Sequence, residues 1–332
     1  DILRARIILE SNVRSRALPL AIAAALASLH AHADHMEELV VSASHDTRTI
    51  DVTNELVISA DVAQLLKRAP GANVNSNGPI VGIPQYRGMY GNRIATSLDG
   101  TQLAPSGPNW MDPPLSYARN GQLESLEVYR GIAPVSVAQE SIGGAIDARS
   151  SQGEFTDGSA LELSGRLEAS AQSVNGGQSL SAALHAANDV HKLKLAGVLE
   201  QGDDSDFPDG QILPSEYKRE RYDIGYGVKM GAHSLQLDYG YNDTGESGTP
   251  ALPMDIDYIE GDLYDLTYRF MQADSLEVTA SLFASDLDHG MTNYHQRQAP
   301  ADKRRWRRNL ADSDTLGFKL SSCLLYTSDA AD

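Results

Sequence analysis

The sequence predicts a small mixed α/β domain followed by antiparallel transmembrane β-strands. Strict alternation of apolar and polar residues begins near Ala160 and recurs in about eight segments of roughly nine to eleven residues, the length that crosses a bilayer at a tilt. Short turns and long loops alternate between these segments. The region before them lacks the alternation and is rich in Gly, Pro and Asn. Together these features predict a compact domain that precedes a wall of strands.

The composition narrows the classes of protein to which this chain can belong. It has 332 residues, a formal net charge of −18 and a single cysteine. Such acidity argues against a nucleic-acid binder, which presents a basic surface. One cysteine provides neither a disulfide framework nor a Cys-based zinc site. Outside residues 1–33 no apolar run reaches the roughly 18 residues of a membrane helix, so a membrane crossing has to use strands.

Residues 1–33 have the features of an export signal. Arg14 and Arg16 precede an apolar stretch over 17–29, and Ala31-His32-Ala33 fits a small-residue cleavage site. We therefore expect this segment to direct export and to be removed. A buried helix is the alternative, although the stretch lacks amphipathic spacing.

The region between the two ends divides near residue 151. Residues 46–151 contain short apolar runs, such as 94–98 and 126–129, and are predicted to form the mixed α/β domain. Residues 152–321 carry the alternating segments, with the long connections over about 202–220, 244–261 and 288–312. Long loops at one end and tight turns at the other are typical of outer-membrane strands. A soluble β-sandwich also alternates, but it gives no reason for this asymmetry.

Several motifs follow one another in the first part of the chain. Residues 34–45 contain an extended apolar segment that is suited to adding a strand to a partner's sheet edge. A short helix is predicted over 62–70, before Pro70-Gly71-Ala72-Asn73-Val74, and small residues dominate Ser141 to Ile146. The residues of the apolar segment are Glu38, Leu39, Val40, Val41, Ser42 and Ala43. The motif residues after it are Arg87, Gly88, Arg93, Asp99, Gly100, Glu127, Arg130, Gly131, Gly143 and Gly144.

On these residues the chain resembles the TonB-dependent outer-membrane receptors, by motif over residues 37–151 and by pattern over the strands after them. The resemblance implies a plug domain inside a barrel of about 22 strands, of which this chain would contain about eight. Residues 38–43 would be the TonB box that a TonB-type energy-transducing protein grips. The family implies no enzyme activity and a place in the bacterial outer membrane, in contact with its lipid and lipopolysaccharide. The C-terminal residues 322–332 resemble a translated sequencing-adapter read-through, so we expect a non-native tail there, and a native chain that continues.

Within that family, Trp110 to Tyr117 is most similar to the copper-receptor branch. That branch has a methionine at the position of Met111 and a cysteine four residues earlier, where this chain has Gly107. Met254 and Met291 resemble positions that supply copper ligands there, and His289 could add a nitrogen. Thioethers suit soft Cu(I) and need no deprotonation to bind. The resemblance implies no bound cofactor, but Cu(I) or Cu(II) as the transported ligand.

Other functions stay open at the level of the sequence. The chain could be a receptor for a siderophore or a cobalamin-type ligand, that is, for a metal complex rather than a metal ion. It could also be a structural or adhesive outer-membrane protein with no transport cycle. A basic run over 303–308 suggests contact with anionic lipopolysaccharide, or no role beyond solvation, and not contact with nucleic acid, given the overall acidity. Nucleophile-elbow, P-loop and H-E-x-x-H motifs are absent from the sequence, which argues against an enzyme.

Overall fold

A computed structural model of the chain describes residues 47–53, 59–107, 110–138, 141–272 and 276–324. All of them lie within one compact unit that spans residues 45–332. The predicted export signal, the segment 38–43 and most of the predicted tail lie outside the described residues. Residues 321–324, however, continue the last strand.

The first part of the chain folds into two small sheets. A five-stranded sheet has the order β1-β7-β8-β5-β6, in which only β5 and β8 run parallel, and a three-stranded sheet has the order β2-β3-β4. This arrangement matches the predicted mixed domain. The strands are β1 (Thr47–Asp51), β2 (Ala72–Ser76), β3 (Gly82–Tyr86), β4 (Met89–Tyr90), β5 (Ala95–Leu98), β6 (Thr101–Gln102), β7 (Leu123–Tyr129) and β8 (Ala145–Ser150).

The helical segments that the structure describes in this domain are short 3-10 turns. The predicted helix is present as the turn Val62–Arg68, which Asp61 caps by accepting a hydrogen bond from the backbone N–H of Ala63 at 3.0 Å. The turn ends before Pro70, which disfavours helical backbone at the residue preceding it. The other turns are Gly91–Arg93, Pro114–Tyr117, Asn120–Gln122 and, in a later loop, Lys303–Arg305.

Eight antiparallel strands follow and pair with their neighbours in sequence. The predicted eight segments are therefore confirmed, and the first and last strands have no further neighbour among the described residues. A small hairpin, β12 (Ser205–Phe207) with β13 (Gly210–Ile212), lies in one long loop. The eight strands are β9 (Glu162–Ala171), β10 (Gln178–Ala187), β11 (His191–Gly202), β14 (Tyr217–Met230), β15 (His233–Thr244), β16 (Asp255–Gln272), β17 (Leu276–Thr292) and β18 (Arg308–Leu324).

The last three strands are much longer than the apolar alternation indicates. They contain 18, 17 and 17 residues, because pairing continues beyond the apolar positions into segments whose outward side chains are charged. Asp286 and Asp288, for example, are exposed in β17 while their neighbours are buried. Residues 288–292 therefore lie in a strand and not in the predicted loop, which matters for the site described below.

The two faces of this sheet differ in chemistry. One face exposes leucine and tyrosine side chains at alternate positions, as in Tyr222, Ile224 and Tyr226, which is the pattern of a lipid-facing surface. The other face contacts the first domain through polar side chains. Among the described residues, no helix is long and apolar enough to span a bilayer.

A fully buried arginine joins the first domain to the strands. Arg119 donates hydrogen bonds to the carbonyl oxygens of Ser116 and Ala118, and to the Asn242 and Thr244 side chains of β15. Two strand residues reach back: Arg221 Nη1 donates to the carbonyl oxygen of Tyr117 at 2.6 Å, and Arg219 donates to the carbonyl oxygen of Ala60. Buried charges are tolerated only when they are paired and hydrogen-bonded, so this contact fixes the domain against the strands.

Candidate metal site

A buried aspartate organises the loop that carries Met111. The Asp112 carboxylate accepts hydrogen bonds from Ser106 N at 2.8 Å, Ser106 Oγ at 2.7 Å, Gly107 N at 2.7 Å and Tyr117 Oη at 2.7 Å. Its exposed fraction is 0%. Four donors on one carboxylate fix Ser106, Gly107 and Tyr117 relative to Asp112, and so the position of the neighbouring Met111.

A strand of the second part supplies a buried histidine that has no hydrogen-bond partner among the described residues. His289 lies on β17 and is 1% exposed, and neither ring nitrogen has a hydrogen-bond partner among the described residues. Its Nδ1 is 3.6 Å from Asp112 Oδ1, which is too long for a hydrogen bond. Buried polar groups without partners are rare and call for an explanation such as an unseen water or ion.

Two methionines are buried in the same cluster of apolar side chains. Met111 is 6% exposed and Met291 is 0% exposed, and the partly buried Met254 packs against the cluster. His289 and Met291 are two residues apart on β17 and therefore lie on one face of the strand. Met291 is paired with Ile256, two residues after Met254. The structure thus brings all four sequence-predicted metal ligands to one region, where the first domain meets the strands.

The His289 ring can occupy its present position only because residue 107 is a glycine. A Cβ atom on residue 107 would lie 2.6 Å from His289 Cε1 and 2.7 Å from Asp112 Oδ1, and it would come closer still to His289 Nδ1. Any side chain here would displace the ring, which is confined by its burial. The absence of a cysteine at this position and the placement of His289 are therefore linked.

The electrostatics of the loop keep Asp112 ionised. Burial raises the pKa of its carboxyl, but the neighbouring His289 ring and the hydrogen bonds from Tyr117 and Ser106 outweigh burial and hold that pKa below its ordinary value. Burial and then the charge of Asp112 raise the pKa of Tyr117 well above its ordinary value, so that the phenol stays a donor. The region offers neutral thioethers and an unpartnered imidazole beside one fixed negative charge.

The predicted motif residues of the first domain lie in its turns and strands, and the structure does not bring them to the methionines. Arg87, Asp99 and the glycines after each have positive φ in tight turns. Asp99 accepts hydrogen bonds from Ser150 N and Oγ, and Glu127 pairs with Arg149 at 3.2 Å. The remaining positions are Arg93, which ends the turn Gly91–Arg93, and Arg130, Gly131, Gly143 and Gly144, which adjoin β7 and β8.

The sequence prediction missed the residues that position the ligands. Asp112 and Tyr117 belong to the segment that suggested a copper receptor. Their hydrogen bond was not predicted, because the turn Pro114–Tyr117 is what brings the two side chains together. Pro113 and Pro114, at the start of that turn, are the sequence signal for a tight bend there.

Comparison with known proteins places these observations in a wider context. Residues 47–145 match the family described as TonB-dependent Receptor Plug Domain. No curated protein matches the chain in sequence.

Several solved structures share the fold. The copper transporter OprC superposes with a TM-score of 0.76 and 27% identity, over 85% of this chain and 44% of OprC. A mutant of the ferric enterobactin receptor PfeA from Pseudomonas aeruginosa has a TM-score of 0.62 and 14% identity, over 83% of this chain and 46% of PfeA. A double mutant of the Serratia marcescens hemophore receptor HasR has a TM-score of 0.62 and 18% identity, over 77% and 42%. This chain spans less than half the length of each, and the latter two likenesses concern the fold alone.

Proposed function

We propose, from the premise that this chain belongs to the TonB-dependent receptor family through its plug domain and the first strands of its barrel, that the whole protein imports copper ions across the bacterial outer membrane. The plug and the eight strands match such a receptor in order and topology. The ligand, the energy source and the location are the parts that we propose.

The observation that carries the copper proposal is the unpartnered histidine beside two buried methionines. His289 and Met291 come from β17, whereas Met111 comes from the plug. A pure packing role explains the methionines, since methionine is a common filler of apolar cores. It does not explain a buried imidazole with no hydrogen bond at either nitrogen, because the group loses its hydration and the 3.6 Å approach of Nδ1 to Asp112 is too long to replace it. A ligated metal ion would satisfy one of the two nitrogens.

The donor set favours Cu(I) as the ion. Thioether sulfur is a soft ligand that binds without losing a proton, and imidazole is a ligand of intermediate softness. Met111, Met291 and His289 together provide two sulfur donors and one nitrogen donor, and Met254 could add a third sulfur. Gly107 supplies no thiolate, so the site would be neutral in its ligands and would discriminate against harder divalent ions.

The energy for release would come from a partner that grips the predicted TonB box. The sequence of residues 38–43 is largely apolar and rich in β-forming residues, as a strand-adding segment requires. Because Arg119 of the plug is hydrogen-bonded to β15, a force on the N-terminus would act on the contact between the plug and the strands, where Met111 also lies. This arrangement supports coupling between the partner and the metal site, and it presupposes export to the outer membrane.

The basic run in the last long loop is proposed to contact lipopolysaccharide. Residues 301–308 are all exposed, and Lys303, Arg304 and Arg305 form a single turn. Cationic side chains at this end of the strands would face anionic head groups.

A binding measurement on the full-length receptor tests the copper site. Met111→Leu with Met291→Leu conserves volume and removes both sulfurs, so we expect the Cu(I) affinity to fall by more than about a hundredfold, or about 2.8 kcal/mol. Met230→Leu is the matched control, because Met230 is 69% exposed at a strand end. Unchanged Cu(I) affinity in the double variant would exclude this site.

An uptake measurement separates transport from an adhesive or structural role. Deletion of Glu38 to Ala43 should abolish copper accumulation by cells while leaving Cu(I) binding to the purified receptor unchanged. A protein without a transport cycle would show the same accumulation with and without the segment.

A further inference from the structure

A second group of metal-ligating side chains lies away from the methionines, in the long loops. One ligand atom from each of Glu246, Asp257 and His295 lies within 4.8 Å of the others. His295 Nδ1 is 2.5 Å from Asp257 Oδ1. The three residues come from three separate chain segments, the loops before β16 and after β17 and the start of β16 itself.

Backbone pairing brings the two carboxylates together. Ser247 and Ile256 exchange hydrogen bonds of 3.0 Å in both directions, so the segment that carries Glu246 lies beside the start of β16. A register shift between Ile256 and Tyr258 leaves Asp257 in a bulge. Bulges re-aim side chains and are frequent next to functional sites. The position of Asp257 is therefore fixed by the sheet.

Aromatic contacts hold the segment of the histidine. The rings of Tyr294 and His295 meet edge to face at 4.6 Å, and Tyr294 stacks on Trp306 at 4.6 Å. Asn293 ties the two sides of this loop, because its side-chain oxygen accepts from Arg307 N at 2.8 Å. Although His295 is exposed, its ring is held by its neighbours.

The charges around this group leave room for a cation. The neighbouring Asp255 is neutralised by Arg297, which makes two hydrogen bonds of 2.6 Å to it. By contrast, no lysine or arginine forms a salt bridge with Glu246 or Asp257 in the part of the chain that the structure describes. Two carboxylates this close repel each other unless a cation lies between them. Within the described ranges, the ion-pair partner recorded for Asp257 is His295, whose imidazole is itself a metal ligand.

We propose that Glu246, Asp257 and His295 form a second metal site, which binds a divalent first-row transition ion such as Zn²⁺ or Cu²⁺ at the loop surface. Two carboxylate oxygens and one imidazole nitrogen suit such ions, and the exposure of Glu246 and His295 leaves positions for water and a path for entry. The donor set differs from the thioether set of Met111 and Met291. The site does not depend on the proposed import function.

Zinc titration of the untagged full-length receptor tests this proposal. Isothermal titration calorimetry with Zn²⁺ should detect one equivalent that His295→Ala removes and that Glu246→Gln and Asp257→Asn each weaken by at least about tenfold. Control substitutions are His191→Ala, at an exposed histidine bonded to Tyr226, and the Leu double variant at Met111 and Met291. Both controls should keep the equivalent.

Cu²⁺ provides an independent readout of the same site. Electron paramagnetic resonance of the receptor with one equivalent of Cu²⁺ should show coupling to a single imidazole nitrogen, which His295→Ala abolishes. Far-ultraviolet circular dichroism of the same His295→Ala protein, compared with that of the unsubstituted receptor, verifies that the variant is folded. The proposal is overturned if His295→Ala keeps the Zn²⁺ equivalent, or if replacement of His35 and His45 removes it instead.

Discussion

The most quantitative prediction about the candidate metal site concerns the carboxylate of Asp112. Its removal in Asp112→Ala deprives four donors of their acceptor: the backbone N–H groups of Ser106 and Gly107 and the hydroxyls of Ser106 and Tyr117. The hydroxyls can rotate toward other acceptors, but the two backbone groups cannot. Each stranded N–H costs about 1–3 kcal/mol.

We expect the local stability of the loop to fall by about 3 kcal/mol, which corresponds to roughly a hundredfold loss of protection. Native-state hydrogen exchange of the full-length receptor, read at Ser106 and Gly107, measures this directly. Asp112→Asn keeps one acceptor oxygen and should lose less protection.

The control removes another buried plug aspartate. Asp61→Ala deletes the cap of the turn Val62–Arg68 and should accelerate exchange at Ala63, whose N–H it accepts at 3.0 Å. Exchange at Ser106 and Gly107 should not change in this control. Unchanged protection at those two amides in Asp112→Ala would refute the argument that the carboxylate organises the loop.

Three further predictions concern single residues. Gly107→Ala should push the His289 ring from its position, because the added methyl group overpacks the site at a cost of about 1–3 kcal/mol. The Cu(I) affinity, measured in a competition assay, should fall more than about tenfold. Burial raises the pKa of Asp147 above 3.8, despite the hydrogen bond from Ser97, so its contribution to plug stability is full below pH 3.8 and is lost as pH rises through the raised pKa. Asp147→Asn should therefore flatten the pH dependence of plug unfolding above pH 3.8. Glu200→Gln breaks the buried ion pair with Arg219 and should destabilise the docking of the plug by about 3–5 kcal/mol. The measurement is the urea concentration at the midpoint of plug unfolding, which should be lower in the variant.

Matched controls distinguish these effects from general damage. Gly197→Ala introduces a Cβ no closer than 3.4 Å to its neighbours and should leave Cu(I) affinity unchanged. Glu220→Gln changes a glutamate whose partner is the exposed Tyr222 and should leave the urea midpoint unchanged. An Asp147→Asn curve that still falls with pH, or controls that behave like their test variants, would contradict the corresponding assignment.

The strand count and the order of the plug elements could be predicted because both depend on local patterns. Alternation in Tyr222, Ile224 and Tyr226 reflects one apolar, outward-facing side of a strand, and the run from Val62 to Pro70 reflects a short helical turn. These signals act over a few residues, and the structure confirms them.

The limits of prediction appear where pairing or tertiary contact decides. The long ends of β16 and β17 carry polar residues, so their sequence indicates a loop although their backbone pairs to Thr292. This error placed Met291 in a long loop, whereas it lies in β17 and is fully buried. The unpaired state of His289 and its closeness to Gly107 depend on a contact across 182 positions of the chain, which no local pattern encodes.

The most direct test of the copper site is X-ray absorption at the copper edge of the full-length receptor loaded with one equivalent of Cu(I). The geometry of Met111, His289 and Met291 predicts at least two sulfur scatterers and one nitrogen, with the sulfur signal lost in the Leu double variant at the methionines. A first shell of nitrogen and oxygen alone, or a sulfur shell that survives that variant, would contradict the assignment.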